Sequence, residues 1–587
     1  MRALKYRLCF SLLLCTPLIL LAQPDTVWTR TFGGTQGDIC YSVQRTQDGG
    51  YIMAGETRSS GAGGRDFWLV KTTSVGSMQW NRTYGGAQDE TCYAVHQASD
   101  GGYVLVGRTN SFRPGSWNGW VVRTNASGDT MWTRVFGGSQ PDAFYSVAQG
   151  PGGFFWAAGY TYSYGLAGDY WLVQLSTFGD SITTHTYGGN RSEVCNKILI
   201  ENDYMYLVGS TESYGQGQTG LPDYWLLKVS WLGDSVWSRP YGEDRSDVCT
   251  SIAAGDSGSL ILGGYTESSG AGRADFWVIR TDSMGYLWNE RTFGRTGQDY
   301  CQAVMQVAPN RIQVAGTTEY TAAGGNNGWL LEMDNNLDTL WNRQVGGASV
   351  DEIYAMVSSM DGTILTGGTW SFGSGQQDFW LVKIAAPVTL FEVTPIFLNF
   401  GEVPVGYSAT RSLTLRNAGN MPVTVLNLVT VPPFSSEFSS GFVLNGNEQT
   451  SFTVFFQPAQ AGEYIDTLWV EHSTATSPTA VYVSGTGIMS DADEPDQNLP
   501  QRFALSAAYP NPFNAETVLT FDVPHAAPVR VAIYDVQGQL TKTIADGMLP
   551  AGSHRLHWNG SAFASGIYFV RAQSDGFSAA RKIVLLK

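Results

Sequence analysis

A two-residue signature recurs along the first two thirds of the chain. Gly33-Gly34, Gly85-Gly86, Gly137-Gly138, Gly188-Gly189, Gly242-Glu243, Gly294-Arg295 and Gly346-Gly347 follow one another in steps of 51 to 54 residues. Spacing this regular marks one supersecondary unit used seven times, and such units become stable by stacking on their neighbours. It excludes a single irregular core. The period is long enough for one four-stranded sheet.

Within each period apolar residues alternate over short runs separated by turn residues. In the first, the runs are Cys40-Tyr41-Ser42-Val43, Tyr51-Ile52-Met53-Ala54, Phe67-Trp68-Leu69-Val70 and Trp80-Asn81-Arg82-Thr83-Tyr84, with Asp48-Gly49-Gly50 as a hairpin turn. No stretch holds a helical period. Seven such units predict an all-β chain that begins with a seven-bladed β-propeller over 23–386. The last unit stops at Asp378-Phe379-Trp380-Leu381-Val382-Lys383 without its own W-x-R strand. Trp28-Thr29-Arg30-Thr31-Phe32 at the start is expected to supply it and so cover the open edge. The strand containing Cys40 should lie innermost and the W-x-R strand outermost. The third unit departs most, with Thr183-Thr184-His185 in place of W-x-R. The repeats resemble D-G-G-Y-x-x-A-G, D-F-W-L-V-K and W-x-R-T-Y-G-G repeats of exported bacterial proteins, a resemblance that implies fold and not activity.

Residues 1–22 place Arg2, Lys5 and Arg7 before an apolar run over 8–21 and end Leu21-Ala22, the layout of a secretory signal peptide cleaved after Ala22. No later run reaches the length of a membrane span. The whole chain carries 35 basic and 51 acidic residues, a net charge of −16. Such a surface repels nucleic acid and anionic lipid.

After residue 386 the pattern changes. Leu398-Asn399-Phe400-Gly401-Glu402-Val403, Ser412-Leu413-Thr414-Leu415 and Phe452-Thr453-Val454-Phe455-Phe456 are alternating strands of an Ig-like sandwich over 387–488. They resemble the sandwich family of bacterial surface proteins and Hydin-type ciliary proteins. Residues 489–503, with Asp491, Asp493, Glu494 and Asp496, read as an acidic linker. The segment 504–587 opens Tyr509-Pro510-Asn511-Pro512-Phe513-Asn514 and ends Lys582-Ile583-Val584-Leu585-Leu586-Lys587. It is expected to form a second Ig-like sandwich. It resembles the type A C-terminal sorting domain of the type IX secretion system, which implies the type IX machinery as a partner, Lys582, Ile583, Val584, Leu585, Leu586 and Lys587 as the sorting signal, and an extracellular or cell-surface destination by way of the periplasm. Attachment to surface lipopolysaccharide is one fate the resemblance implies, and release is another.

Two positions repeat with chemistry attached. Cys40, Cys92, Cys195, Cys249 and Cys301 share a place with Phe144 and Ile353. That substitution pattern describes a buried apolar site, because sheets about 10 Å apart put these thiols beyond disulfide reach; a metal ring is the alternative. Asp38, Glu90, Asp142, Glu193, Asp247, Asp299 and Asp351 supply one acid per unit, and Arg30, Arg82, Arg134, His185, Arg239, Arg291 and Arg343 one base. An ion pair bracing each turn is the expected reading, and a cation ring is the alternative.

A catalytic constellation breaks a repeat at one place, whereas residues present in every unit build the unit. Histidine occurs at 96, 185, 472, 525, 554 and 557, without metal-ligand spacing, and neither a G-x-S-x-G elbow nor a phosphate loop is present. No cofactor is expected. Unrepeated residues gather in the loops before the D-F-W strand, with Phe112 and Trp117 as candidate ligand contacts. The expected function is a non-enzymatic binding or adhesion module for a polysaccharide or protein ligand. The alternative is a carbohydrate-active enzyme with its site in the propeller pocket.

Overall fold

The computed structural model describes residues 24–113, 115–215, 220–320, 325–489 and 500–587. The signal segment 1–22, most of the acidic linker and part of the loop before Asp223 lie outside the described residues.

Among the described residues, 24–386 form seven four-stranded antiparallel sheets. In the first, Asp38–Arg45, Tyr51–Thr57, Asp66–Thr72 and Met78–Tyr84 lie side by side in chain order. Sheets two to six repeat this order. The seventh combines Asp351–Ser359, Gly362–Thr369 and Asp378–Ala385 with Thr26–Phe32 from the start of the chain. Trp28 pairs with Lys383 and Phe32 with Phe379. The first strand of each sheet contacts the first strand of the next, and Asp38–Arg45 contacts Asp351–Ser359.

Alternation explains the packing. Central strands are buried on both faces, as at Tyr51–Thr57 and Asp66–Thr72, so they read as continuous apolar runs. The outer strand Met78–Tyr84 is exposed or partly buried throughout. Each core cluster mixes two consecutive sheets: Ile52, Leu69, Cys92, Leu105 and Trp120 in one, Phe32, Cys40, Met53, Ile364 and Phe379 in another. The five described cysteines are free and buried. Burial pushes the Cys40 and Cys301 thiols up to about 12, which makes them inert small hydrophobes.

The repeat arginines do not brace the acids. They lie on the outer strand and reach the turn of the next sheet: Arg134 donates to Phe178 O at 3.0 Å, Arg239 to Met284 O at 2.8 Å and Arg291 to Leu337 O at 3.1 Å. Tyr84, Tyr187 and Tyr241 add hydroxyl bonds of 2.6 Å to Gly128 O, Gly233 O and Gly285 O of those turns. At the sixth sheet Arg343 bonds Pro24 O and Thr26 Oγ1, so the chain start takes the place of a turn. Sequence spacing put acid and arginine close together, but the chain turns at the glycine pair between them, and the arginine stays at the outer edge.

The sandwich around 389–486 has one sheet ordered Phe391–Thr394, Ala409–Asn417, Gln449–Phe456, Phe434–Ser436. In the other, Val423–Val429 pairs with Phe442–Leu444 and Gly462–His472. Leu413, Leu415, Val425, Val454, Leu468 and Val470 are buried between them.

The C-terminal segment is a separate sandwich. One sheet is Ala504–Leu505, Glu516–Val523, Gly552–Asn559, and the other Leu540–Leu549, Ala527–Tyr534, Gly566–Ser574, Phe577–Leu585. Its core holds Phe513, Phe521, Trp558, Ile583 and Leu585.

Deleting residues 24–32 removes one strand of the seventh sheet together with buried Phe32. Thermal unfolding is expected to show a loss of more than about 4 kcal/mol, against a small change for deletion of the exposed loop 60–64. A truncated chain that melts with the intact one would refute the role given to this strand.

Candidate functional site

Two places rise above the repeated scaffold: a carboxylate clasp present in each unit, and a tyrosine-lined cluster confined to a few.

The clasp is the acid at the start of each first strand. Asp142 accepts from Thr161 Oγ1 at 2.5 Å, Ser163 Oγ at 2.6 Å, Ser163 N at 3.2 Å and Gly138 N at 2.9 Å. Asp38 accepts from Thr57, Ser59 and Gly34 in the same way. Asp351 repeats the set with Thr369, Ser371 and Gly347. Glu90 is held by Thr109 and Gly86, and Glu193 by Thr211, Ser213 and Gly189. Asp299 accepts from Arg295 N at 2.9 Å. Asp247 takes Glu243 N and Ser268 Oγ on one oxygen. All seven acids are fully buried. The donors are hydroxyls and amides rather than the arginines expected there.

A second acid stands beside five of the seven clasps. Asp66 Oδ1 and Glu90 Oε2 fall within 2.6 Å of the point where a Cβ on Gly85 would sit, and Asp378 with Asp38 flanks Gly33, Asp275 with Asp299 flanks Gly294. Any side chain on that glycine would collide with a carboxylate. Asn118 and Asn327 take the place of the second acid in two units. The Oδ1 atoms of Asp66, Asp169, Asp275 and Asp378 are buried without a hydrogen-bond partner. Burial holds these four carboxyls above the usual range, with Glu90, Glu193 and Asp38 adding repulsion at Asp66, Asp169 and Asp378.

The cluster occupies the first strands of sheets seven, one, two and three. The residue after the cysteine position is Tyr354, Tyr41, Tyr93 and Tyr145 there, and Asn196, Thr250 and Gln302 in the other units. The four rings run in sequence with centroids 5.1, 5.6 and 4.6 Å apart, and Tyr160 continues the row at 5.6 Å from Tyr145. Beside them lie ion-paired and hydrogen-bonded groups. Arg65 sits 3.3 Å from Glu56 and 3.5 Å from Asp89. Glu352 accepts from Tyr354 Oη at 2.8 Å and Gln377 Nε2 at 2.9 Å. The Arg108 guanidinium lies 5.7 Å from the Tyr93 ring centroid and 4.3 Å from that of Trp117. Burial pushes the Tyr93 phenol up to about 12 and moves Tyr41, Tyr145 and Tyr354 upward too. These hydroxyls therefore stay protonated and act as hydrogen-bond donors and acceptors. In two of the other units, Asn196 Nδ2 donates to Cys249 O at 2.8 Å and Thr250 Oγ1 to Cys301 O at 2.7 Å, joining neighbouring strands.

The two loop aromatics separate. Trp117 joins the cluster through Arg108. Phe112, 47% exposed, packs on the repeat tryptophan Trp120 at 5.1 Å. Tyr41, Tyr93, Tyr145 and Tyr354 were missed in the sequence, although their position directly after a buried residue of a strand puts them on the opposite face.

Of the residues expected to form the sorting signal, Lys582, Ile583, Val584 and Leu585 end the last strand, and Leu586 and Lys587 follow it. Asn511 Oδ1 accepts from Val584 N at 2.8 Å and Asn511 Nδ2 donates to Lys582 O at 3.0 Å. Phe513 N donates to Val584 O and Leu586 N to Phe513 O. The Y-P-N-P-F run thus grips the C-terminal strand.

Comparison with known proteins gives two family matches: a HYDIN/CFA65/VesB-like, Ig-like domain over 389–486 and a secretion system C-terminal sorting domain over 507–586. The regulatory protein FlaEY of Caulobacter vibrioides is 26% identical over a stretch covering 42% of this chain and 32% of the relative; the chain spans about a third of that protein's length. Among solved structures, YCF48 bound to D1 peptide covers 64% of this chain and 100% of its own at 13% identity and a TM-score of 0.38. A protein of unknown function from Dyadobacter fermentans covers 61% and 99% at 10% identity and a TM-score of 0.34. The chain is all-β, contains an Ig-like domain and carries a type IX sorting domain, which implies export to the cell surface or medium.

Replacing the two kinds of acid should have opposite effects. A carboxyl raised in the folded state binds its proton more tightly there, so its contribution is fully present below about pH 4, the unfolded value, and is lost as pH rises through the folded one. Asp66→Asn, which copies Asn118, is expected to stabilise the chain at pH 7 by on the order of 1 kcal/mol, with the gain vanishing near pH 4. Asp142→Asn turns an amide toward donors and should cost about 1–3 kcal/mol at pH 7. Melting scans at both pH values, with and without calcium, check this. A calcium-dependent rise of several degrees that Asp142→Asn abolishes would replace the clasp by a cation site.

Proposed function

We propose that residues 23–386 close into a seven-bladed β-propeller that serves as an exported, non-enzymatic binding module. Closure is supported by the pairing of Trp28 with Lys383 and by the contact of Asp38–Arg45 with Asp351–Ser359. In this arrangement the first strands line the axis, and the tyrosine cluster faces the central channel. The observation that carries the binding reading is this break in symmetry. Four units place tyrosines there, flanked by Arg65, Arg108, Glu56 and Glu352, where the other three place amides and a hydroxyl. Protonated phenols beside paired charges suit recognition of a polar ligand such as a polysaccharide or a peptide segment.

The glycosidase alternative finds no support. Its chemistry needs two carboxyls of different protonation around a sugar, whereas Glu56 pairs with Arg65 and Glu352 is held by Tyr354 and Gln377. The sandwich over 387–488 is a spacer in this reading, and 489–503 a linker. The segment 504–587 delivers the chain through the type IX machinery, with anchoring to lipopolysaccharide or release to follow.

A glycan and polysaccharide array probed with the secreted chain tests the binding site. Retention without cleavage is expected, reduced about tenfold or more, the effect of removing a charge-assisted hydrogen bond, by Arg108→Ala or Tyr93→Ala. Retention unchanged in both variants would move the site elsewhere.

Fusion of residues 504–587 to a periplasmic reporter in a host with type IX machinery should carry the reporter outside. Removal of Lys582, Ile583, Val584, Leu585, Leu586 and Lys587 takes away the strand that Asn511 and Phe513 hold, and should leave the reporter inside. Export of the shortened fusion would refute the signal.

A further inference from the structure

The repeat tryptophan before each outer strand is roofed by an aromatic side chain from the preceding loop in four units. Phe112 lies 5.1 Å from Trp120, Tyr164 5.8 Å from Trp171, Tyr214 5.3 Å from Trp225 and Phe372 5.9 Å from Trp380. Tyr164 and Tyr214 also donate to Gly137 O and Gly188 O, closing the seam between consecutive sheets. The fifth unit has Ser269 at the roof position and Glu243 in place of the second glycine. The first unit has Ser60 but keeps Gly33-Gly34, whereas the sixth has Arg295 in place of the second glycine and Thr321, outside the described residues, at the position of Ser269.

At the fifth unit, where the roof is missing, the seam is open. Over Trp277 lies a cavity of about 560 Å³, against about 160 Å³ at the seam that Phe372 roofs. Pro240, Leu287 and Trp277 give it apolar walls, and Ser268, Ser269, Thr292, Glu243 and Glu290 its polar rim. Asp247 also lines it. That residue is fully buried, and its Oδ1, which in Asp38, Asp142 and Asp351 takes the threonine hydroxyl, has no hydrogen-bond partner. A buried carboxylate oxygen without a donor is costly, and a ligand hydroxyl would satisfy it.

We infer that the seam between the fourth and fifth sheets is a binding site for a short neutral saccharide, held by its C–H faces on the apolar walls and by hydroxyl bonds to Asp247, Glu243 and Glu290. The volume is that of a small-molecule pocket. Three carboxylates disfavour uronic or sulfated sugars, and the one arginine on the rim, Arg291, is already engaged by Asp338 and Leu337 O. This site is distinct from the tyrosine cluster, which lies on the first strands of other sheets.

The chain itself supplies the variant that tests it. Ser269→Phe copies Phe112 and Phe372, and Ser269→Tyr copies Tyr164 and Tyr214. Calorimetric titration of the secreted full-length chain with neutral gluco-, manno-, galacto- and N-acetylglucosamine oligomers should find a binder. Its affinity should fall at least tenfold in both variants, while their melting temperatures stay level or rise. Oligouronates and a lysine-rich peptide serve as counter-probes. The inference is overturned if no neutral oligomer binds, if the counter-probes bind more tightly, or if a roofed variant that keeps its melting temperature binds as the wild type does.

Discussion

The array depends on a buried carboxylate that serves as a knot. In each unit one acid gathers the glycine turn that enters the sheet, and in most it also holds the threonine that ends the second strand and the serine that begins the following loop. Charge-assisted bonds from several donors explain how an ionised group is kept out of water without a cationic partner. The cost appears one residue type away, at Asp66, Asp169, Asp275 and Asp378, whose second oxygens face the knot with nothing to accept from. Two units avoid that cost with asparagine.

Much of the architecture was legible from spacing alone. The period, the four runs per unit and the missing last strand located all seven sheets and the return of Trp28–Phe32 to the last of them, because backbone ladders follow from alternation and turn chemistry. What spacing could not give was partnership. Arg134 stands eight residues from Asp142, yet the chain reverses between them and the arginine serves the next sheet. Phe112 read as a ligand contact because it breaks the repeat, and the structure shows it roofing Trp120 as Phe372 roofs Trp380. The tyrosine row was hidden for the opposite reason: it sits inside the repeat and differs only in which units carry it.

The same division holds for chemistry. Residues common to all units build walls, turns and knots, whereas the two places proposed for recognition are defined by an omission or a substitution in a few units, such as Ser269 or Tyr93. In an array the informative comparison is of each unit with its neighbours within one chain, because the other units show what that position does when it serves packing alone.

The join between Thr26–Phe32 and Asp378–Ala385 also sets a schedule. The partners lie at opposite ends of the array, so the seventh sheet stays incomplete until the chain has emerged as far as Ala385. Contacts of such sequence separation form late and slowly. A chain that emerges N-terminus first therefore completes its seventh sheet only when nearly two thirds of its length is out.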